Sequence, residues 1–449
     1  MSSEWQLKKL SSLGSFERGK SKCRPRHAPH LYGGPYPFIQ TGDITNADGR
    51  ITSYRQTYSE AGLSQSKLWP AGTLCITIAA NIAETALLTF PACFPDSVVG
   101  FIPDSDKADV IFIEYLFRMM RENVKSKAYG TAQENINLEV LRDLAFPVPN
   151  LANQRAIAST LSVFDDRISL LRETNTTLEA IAHALFQSWF VDFAPVRAKQ
   201  DGREPEGMDA ETAALFPERI EESELGSVPS GWKLVPFGEL LCHTIGGDWG
   251  EDAPDETNDV RVAIIRGTDI PDLKTGTNNR VPVRYTSRKK LASRKLQDGD
   301  IVLEVSGGSK DQPTGRALYL TDGLLGQFDC PVEPASFCRL LRPNTKTIGV
   351  LLAQHLTYIY RQGKTWAYQN QSTGISNFQT THFLETELVA LPPDAVLTAF
   401  ANLLKPMVDR AHLTQVKQLA TLRDTLLPRL ISGQLRLPEA ETMLEEVAA

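Results

Sequence analysis

The sequence lacks the short motifs by which most catalytic sites are recognised. It has no N-P-P-Y or D-P-P-Y tetrapeptide of an adenine methyltransferase, no G-x-S-x-G and no H-E-x-x-H. Its six cysteines form no C-x-x-C pair and have no histidine at zinc-ligand spacing. These absences exclude the common stand-alone enzymes and predict no metal site. They indicate reduced thiols in a cytoplasmic protein.

Long apolar runs are also missing. The longest apolar stretch, residues 72–90, is interrupted by Thr77, Asn81, Glu84 and Thr85, so no transmembrane helix and no membrane partner are expected. The first residues contain no apolar segment of the kind that a signal peptide needs, so none is expected. The formal net charge of −7 excludes a uniformly basic nucleic-acid coat. Much of the acid lies in residues 201–225 and after Leu437, which leaves room for local basic patches.

One apparent nucleotide motif is present. GSFERGKS, residues 14–21, matches the phosphate-binding pattern G-x-x-x-x-G-K-S. The motif works only between a buried strand and a helix, yet the segment before it is too polar for a buried parallel strand. Pro25 and Pro29 disfavour a helix after it. We therefore interpret it as the front edge of a basic, proline-stiffened loop, and keep a P-loop NTPase as a weaker alternative.

The chain contains an internal repeat. Trp5, Asp43, Gly72, Asn135 and Asp166 stand, in this order, over Trp232, Asp269, Gly299, Asn377 and Asp409, each within a similar stretch of sequence. Each copy begins with short apolar runs separated by Gly, Pro, Asn and Asp, which is typical of short strands and loops. Asp43 and Asp269 are expected to be turn or helix-cap residues.

Each copy ends in a segment with helical periodicity. In the first, apolar residues recur at alternating spacings of four and three over more than four heptads, with Asn175 as a polar member. Because so long a helix needs a partner along its length, the two segments are expected to pair. A two-fold relation between the copies makes that pair antiparallel. The predicted seam is Ile157, Leu161, Phe164, Ile168, Leu171, Asn175, Leu178 and Leu185 in the first helix, and Leu419, Leu422 and Leu426 in the second. Packing of each helix on its own globular domain remains an alternative. Asn175 either sets the register or faces solvent near a helix irregularity.

The sequence resembles one family. The stretches that carry the likeness are ALFQSWFVDFAP (184–195), SELGSVPSGWKLVPFGEL (223–240), the run at 153–168 and LLPRLISGQL (426–435). They are similar to the specificity subunit of type I restriction–modification systems. The resemblance implies an α+β fold, with two pseudo-repeated α/β target recognition domains separated by two long helices that pair as an antiparallel coiled coil. It also implies that each recognition domain reads one half of a split DNA sequence.

The resemblance also implies the partners. They are double-stranded DNA, two modification (methyltransferase) subunits and the restriction (translocase and nuclease) subunits. No cofactor is expected on this chain, because S-adenosylmethionine, ATP and magnesium would belong to those subunits. The expected domains are recognition domain 1 (1–150), spacer helix 1 (151–197), an acidic linker (198–230), recognition domain 2 (231–394), spacer helix 2 (395–437) and an acidic tail (438–449). Pro406 is expected in the first turns of the second helix, where proline is tolerated.

Candidate DNA-binding residues come from acid-free basic segments and amide-rich turns, because phosphates need Lys or Arg and base edges also suit amides and hydroxyls. In the first domain they are Arg18, Lys20, Lys22, Arg24 and Arg26, together with Tyr129, Gln133 and Asn135. In the second they are Arg266, Arg288, Lys289, Lys290, Lys310, Gln312, Arg316, Gln371 and Thr373. Ordinary solvated faces and turns are the alternative reading of both sets. At the level of function, the alternative is a protein–protein adaptor built on the helix pair.

Overall fold

The computed structural model describes residues 5–79, 82–129, 138–223, 226–274, 276, 278, 280–309, 312–372, 375–413, 415–435 and 439. The chain folds as two compact units. Unit 1 comprises Met1–Arg167 and Leu419–Ala449, and unit 2 comprises Ile168–Gln418. Both units mix helices with short strands, and long helices follow the strand-rich parts, which confirms the expected fold class.

The described residues of unit 1 form nine strands and the first helices. The strands are β1 (Gln6–Lys9), β2 (Gly14–Arg18), β3 (Tyr32–Phe38), β4 (Arg50–Ile51), β5 (Gln56–Tyr58), β6 (Leu74–Thr77), β7 (Thr85–Leu88), β8 (Val98–Pro103) and β9 (Ala145–Val148). The helices are α1 (Thr41–Thr45), α2 (Glu60–Ser64), α3 (Val110–Tyr129), α4 (Leu138–Asp143) and the first part of α5 (Leu151–Phe186).

Unit 2 continues the chain from α5. Its strands are β10 (Ile220–Ser223), β11 (Gly226–Pro229), β12 (Lys233–Pro236), β13 (Leu241–Gly246), β14 (Val260–Ile265), β15 (Val283–Thr286), β16 (Ile301–Glu304), β17 (Ala317–Tyr319), β18 (Val332–Pro334), β19 (Cys338–Pro343), β20 (Gln369–Ser372), β21 (Ile375–Phe378) and β22 (Leu388–Leu391). Its helices are α6 (Ala194–Gln200), α7 (Ala210–Ala214), α8 (Ile270–Lys274), α9 (Arg288–Arg294), α10 (Asp322–Leu325), α11 (Lys346–Arg361), α12 (Thr380–Thr386), α13 (Asp394–Ala411) and the start of α14 (Gln415–Ile431).

The main sheets of the two units share one strand order. In unit 1 the order is β2-β8-β6-β7-β4, and in unit 2 it is β13-β19-β16-β17. The first four strands of each sheet pair antiparallel throughout. In each unit a strand near the start of the repeat also pairs with the one that precedes the long helix, β1 with β9 and β12 with β22. The internal repeat read from the sequence is therefore a repeat of topology.

Gly72 and Gly299 show the repeat at single-residue precision. Both have positive φ, 81° and 96°, which a residue with a side chain adopts at a cost. The Gly72 N–H donates to the carbonyl of Leu88 at 2.8 Å, and the Gly299 N–H donates to that of Leu320 at 2.9 Å. Each glycine thus makes the same left-handed turn before an equivalent buried strand.

Asp43 and Asp269 are helix-cap residues in both copies, as predicted. The Asp43 carboxylate accepts the backbone N–H of Gln40 at 2.8 Å, and that of Asp269 accepts the backbone N–H of Arg266 at 2.9 Å. Each carboxylate thus satisfies a backbone N–H at the start of a helical turn, as the acidic residue of a capping box does.

The two long helical segments pair antiparallel, and each unit contains one part of the pairing. In unit 1, Asp165 of α5 forms an ion pair with Arg423 of α14. In unit 2, Asn175 lies against Ala411, and the ring of Phe186 lies 6.5 Å from that of Phe400. As the residue numbers rise along α5, those of the residues it contacts fall, so the segments run antiparallel. The seam residues Ile157, Leu161, Phe164, Ile168, Leu171, Asn175 and Leu426 are buried, and Leu178, Leu185, Leu419 and Leu422 are half-buried.

The second spacer helix is broken, which corrects the expected continuous helix over 395–437. Helix α13 ends at Ala411 and α14 begins at Gln415. The expected position of Pro406 is wrong as well, because it lies deep inside α13 instead of in its first turns. Interior proline removes one helical hydrogen bond and costs about 3 kcal/mol, so packing of the apolar face has to hold this segment in place.

The first spacer helix also ends earlier than predicted. After α5, a π-helical turn spans Gln187–Val191, and Phe193 adopts a left-handed conformation with φ of 50° before α6 begins. Trp189 and Phe190 of the π turn are buried among aromatic side chains of unit 2, including Phe400. The predicted linker 198–230 contains α7 and the β10–β11 hairpin.

Candidate nucleic-acid interface

The candidate DNA-binding segments of both units lie at the same end of the main sheet, which we call the loop end. In unit 1 it is the end where β2 and β6 finish and where β8 and β7 begin. In unit 2 it is the end where β13 and β16 finish and where β19 and β17 begin. The basic loop after Arg18 belongs to the first loop end. Residues 306–309 and 312–316 of the glycine-rich segment belong to the second.

Gly19 and Gly247 leave β2 and β13 through the same backbone crossing. The Gly19 N–H donates to Val98 O at 2.8 Å and the Gly247 N–H to Cys338 O at 2.9 Å. The next N–H groups, of Lys20 and Asp248, donate to Phe94 O at 3.1 Å and Pro334 O at 3.0 Å. A Cβ on either glycine would lie 2.1–2.4 Å from two carbonyl oxygens. Only glycine fits this crossing.

This crossing is incompatible with a P-loop. Gly14–Arg18 is itself an edge strand, not a loop, and no helix follows directly. The amides of Gly19 and Lys20, which would have to face a phosphate, bond to carbonyls of the neighbouring segment instead. The NTPase interpretation is therefore wrong, because these amides are not available to a phosphate. Lys20 begins a basic loop, as the sequence predicts.

The basic loop of unit 1 is anchored, and some of its cations are engaged. Ser66 donates to the Lys20 carbonyl at 2.8 Å, and the Cys23 amide donates to Gln65 at 3.0 Å. Three of the five predicted cations have nearby acceptors. Lys20 pairs with Glu17 at 3.1 Å, Arg26 pairs with Asp96 at 2.9 Å, and Arg24 donates to the carbonyls of Ser21 and Cys23 at 2.7 and 2.9 Å.

Arg18 and Lys22 differ from those three. Both are exposed, and neither has a hydrogen-bond or ion-pair partner among the described residues. The loop contains no acid in sequence, but the fold supplies Glu17 and Asp96 at its edges. Arg18 and Lys22 are therefore the cations best placed to meet a phosphate without first breaking an ion pair.

Helix α9 brings the basic cluster of unit 2 to its loop end. Lys290 pairs with Asp248 at 2.9 Å, and Arg294 donates to the carbonyl of Gly246 at 2.9 Å. Arg288 pairs with Asp259 at 3.1 Å. Lys289 is exposed and has no partner in the described part of the chain. The cluster thus lies beside the crossing at Gly247.

The glycine-rich segment and the amide-rich hairpin of unit 2 are adjacent. Ser306 bridges to Asn377 of β21, and the Thr314 amide donates to the side chain of Gln369 at 3.0 Å. Gln312 is exposed and reaches Tyr360 at 3.4 Å. Amides suited to base edges therefore converge at this loop end.

Two predicted contacts of unit 2 are engaged inside the protein. Arg316 makes two hydrogen bonds to the buried carboxylate of Glu304, one of them 2.8 Å from Nε to Oε2. Arg266 makes a bidentate pair with Asp269 and donates to the carbonyl of Arg280 at 2.7 Å. Both guanidinium groups fix loop geometry in this structure. Lys310, Thr373, Gln133 and Asn135 and the side chains of Tyr129 and Gln371 lie outside the described residues.

Glu387 anchors the segment that leads into the β20–β21 hairpin. Its buried carboxylate accepts hydrogen bonds from His355 at 2.8 Å, from Lys364 at 2.9 Å and from the Tyr368 hydroxyl. Burial opposes ionisation, but these three donors lower the pKa of Glu387 to about 2. Because Tyr368 immediately precedes the hairpin, this ionised carboxylate holds the hairpin's base in place.

Sequence reasoning missed two exposed aromatic side chains and one buried acid at the loop end of unit 2. Trp249 follows the Gly247 crossing, with the guanidinium of Arg284 4.9 Å above its ring, and Phe337 lies in the turn before β19. Glu333 of β18 is buried without a hydrogen-bond partner among the described residues, and burial raises its pKa to about 7. The glycine pair before Trp249 is the one sequence signal that could have marked this loop.

The described part of the chain has no cluster of three or more His, Cys, Asp or Glu that could hold a metal. A cavity in unit 2, bordered by Lys274, Tyr319 and His412, has a volume of about 70 Å³. More open clefts beside Arg121 in unit 1 and Trp189 in unit 2 have volumes of about 520 and 810 Å³. Over the same residues, no helix is long and apolar enough to cross a membrane.

Comparison with known proteins agrees with this geometry. Residues 2–180 match the family described as type I restriction modification DNA specificity domain. The MjaIX specificity subunit of a type I restriction enzyme from Methanocaldococcus jannaschii is 23% identical, over 97% of this chain and 94% of its own length. The HindI specificity subunit from Haemophilus influenzae is 24% identical, over 75% of this chain and 80% of its own.

A solved structure shares the fold. The crystal structure of a type I restriction–modification S subunit from M. genitalium superposes with a TM-score of 0.53 and 18% identity. The match covers 95% of this chain and 96% of that one. At this identity the likeness concerns the fold alone.

Proposed function

We propose that the chain, whose residues 2–180 match the type I restriction modification DNA specificity domain family, is the DNA-reading subunit of such a system. In this proposal it performs no chemistry itself. It places separate modification and restriction subunits on a DNA sequence. S-adenosylmethionine, ATP and magnesium then bind to those subunits and not to this chain.

The two loop ends are proposed to be the DNA-contacting surfaces. The observation that carries this proposal is the crossing at Gly19 and Gly247. The same backbone arrangement is followed by Lys20 and the exposed Lys22 in unit 1, and by Asp248 and the exposed Trp249 in unit 2. Arg18 precedes the crossing of unit 1, and the α9 cluster lies beside that of unit 2. Because base readout depends on side chains, the same backbone crossing with different side chains around it reads different bases. The protein therefore reads two unlike half-sites of one bipartite sequence, through domains 1–150 and 231–394.

The long helices are proposed to separate the half-sites and to dock two modification subunits. The apolar seam supports a rigid spacer, since buried residues recur along α5 in both units. The break at Ala411 divides the second spacer into two rigid segments.

A DNA titration tests the proposal. The protein is prepared with its cognate modification subunit, and its affinity for a genomic fragment pool is measured between about 50 and 200 mM salt. A DNA reader loses affinity steeply with salt, because phosphate contacts release counterions. An adaptor that binds peptides through apolar pockets would show little change, and that result would reject the proposal. The chain alone is also expected to bind neither S-adenosylmethionine nor ATP in calorimetric titrations.

A further inference from the structure

Phe337 is an unusually exposed aromatic residue. Its side chain is 62% exposed, whereas the neighbours that shape its turn, Ala335 and Cys338, are buried. Leaving a phenyl ring in water forgoes roughly 1.5–3 kcal/mol of burial free energy. A single exposed apolar side chain needs no partner, so what distinguishes this ring is the turn that carries it and the groups around it.

Hydrogen bonds fix the backbone of the turn that carries this ring. The Phe337 carbonyl accepts the N–H of Val305 at 2.9 Å and that of Ser306 at 3.3 Å, and the Cys338 N–H closes the turn on Ala335 at 2.8 Å. The turn is therefore tied at both sides to the strand-end framework. A side chain on such a turn is presented to solvent by a rigid support, which lowers the entropy cost of a contact.

The surroundings of Phe337 suit nucleic acid. Ser306, which donates to Phe337, also bridges to Asn377 in the amide-rich hairpin. Asp248 beside Trp249 bonds to Pro334, three residues before Phe337. The loop end thus combines an exposed phenyl ring, an indole covered by the Arg284 guanidinium, and side-chain amides. Proteins that kink DNA insert apolar side chains between base pairs from surfaces of this composition.

We propose that Phe337 is a wedge that inserts between two adjacent base pairs in the half-site read by unit 2. This inference rests on the proposed function. The repeat places Ser97 at the equivalent position of unit 1, since β8 and β19 begin at Val98 and Cys338. A serine has no ring to insert. The wedge therefore acts in one half-site, and the two readers differ in how they deform DNA as well as in the bases they contact.

The test uses the complex with the modification subunit and a DNA duplex carrying 2-aminopurine, whose fluorescence rises when it is unstacked. The probe is moved through both half-sites. Positions of methylated adenines are left out, because methyltransferases extrude the base that they modify. At the other positions the native complex should brighten the probe at one step of a single half-site, and Phe337→Ala should abolish that signal. Affinity for the cognate duplex should fall about 10- to 100-fold, in line with roughly 1–3 kcal/mol for an aromatic–base contact. The salt slope should not change, because no charge is removed.

Controls separate the possible outcomes. Leu215→Ala truncates another exposed hydrophobic residue of unit 2, 36% exposed, and should leave affinity and fluorescence unchanged. Phe337→Leu should retain part of the signal, because a leucine can also wedge. A native complex that shows no sequence-specific binding would reject the proposed function itself. Specific binding that Phe337→Ala leaves intact, with the fluorescence step preserved, would overturn the wedge alone.

Discussion

The side-chain amide of Asn175 donates a hydrogen bond of 3.0 Å to the backbone carbonyl of Ala411, the last residue of α13. Asn175 is buried in the helix seam, so this bond joins one spacer helix to the end of the other. Carbonyls at a helix end lack an intrahelical partner. Asn175 and the end of α13 are therefore linked. Because α13 ends at Ala411, its carbonyl lacks a helical donor, and the Asn175 side-chain amide supplies one.

The first prediction follows from this cap. Asn175→Leu adds apolar surface to the seam but leaves the buried Ala411 carbonyl without its donor, which costs about 1–3 kcal/mol. We expect a lower free energy of unfolding in urea. Thr176→Ala is the matched control, because Thr176 is exposed and bonds only to its own helix at Arg172. A stability of Asn175→Leu equal to the native value would show that the cap is dispensable.

The second prediction concerns the crossing at Gly19. A methyl group at Gly19 would lie 2.4 Å from the carbonyl oxygens of Phe94 and Pro95, so Gly19→Ala should destabilise the protein by about 1–3 kcal/mol. Gly42→Ala is the control, because no atom lies within 4 Å of the added methyl group and the residue is in a helix. Thermal unfolding of the two variants gives the comparison. Equal melting temperatures would contradict the close approach.

The third prediction concerns charge. Replacing Arg288, Lys289 and Lys290 with alanine should weaken binding to all DNA sequences nearly uniformly. The salt slope should flatten by about one unit for each DNA phosphate that these side chains neutralise in the native complex. Asp248 and Asp259 lose these cationic partners in this variant and add repulsion toward phosphate. Lys289→Ala alone should flatten the slope by about one unit. Arg203→Ala, in the predicted linker segment, is the charge control. Unchanged DNA binding at low salt would show that α9 is only a solvated face.

The fourth prediction concerns pH. The folded-state pKa of Glu333, raised by burial to about 7, lies above its ordinary value of 4.5. The folded protein therefore holds a proton that the unfolded chain releases, and stability falls as pH rises from about 4.5 through about 7. Glu333→Gln keeps the shape without the charge. It should be more stable than the native protein at pH 8, by on the order of 3 kcal/mol, and equally stable at pH 4. Parallel pH profiles of the two proteins would contradict the shift.

The sequence was sufficient for features with a periodic or repeated signal. The alignment of Gly72 with Gly299, the caps at Asp43 and Asp269 and the buried seam of α5 are all present in the structure. Each depends on local backbone geometry or on helical period, which neighbouring residues specify.

The remaining features depend on residues distant in sequence. The acids that engage Arg26, Lys290 and Arg316 are Asp96, Asp248 and Glu304, and only the folded sheet brings them together. The helix break is held by contacts between segments far apart in the chain, since Gln327 donates to the carbonyl of His412 at 3.1 Å. The exposure of Phe337 depends on which strand ends meet at the loop end. The amino-acid composition does not predict which strands come together.

The proposed function requires that two copies of one backbone arrangement, the crossings at Gly19 and Gly247, read two different half-sites. This is measured by expressing the protein with its cognate modification subunit and sequencing the methylated positions across a genome. We expect an asymmetric motif of two unlike specific parts separated by unspecified bases. A Gly247→Ala variant that still folds should alter the part read by unit 2 and leave the other part unchanged. A continuous motif, or a palindromic one with identical halves, would rule out two different readers.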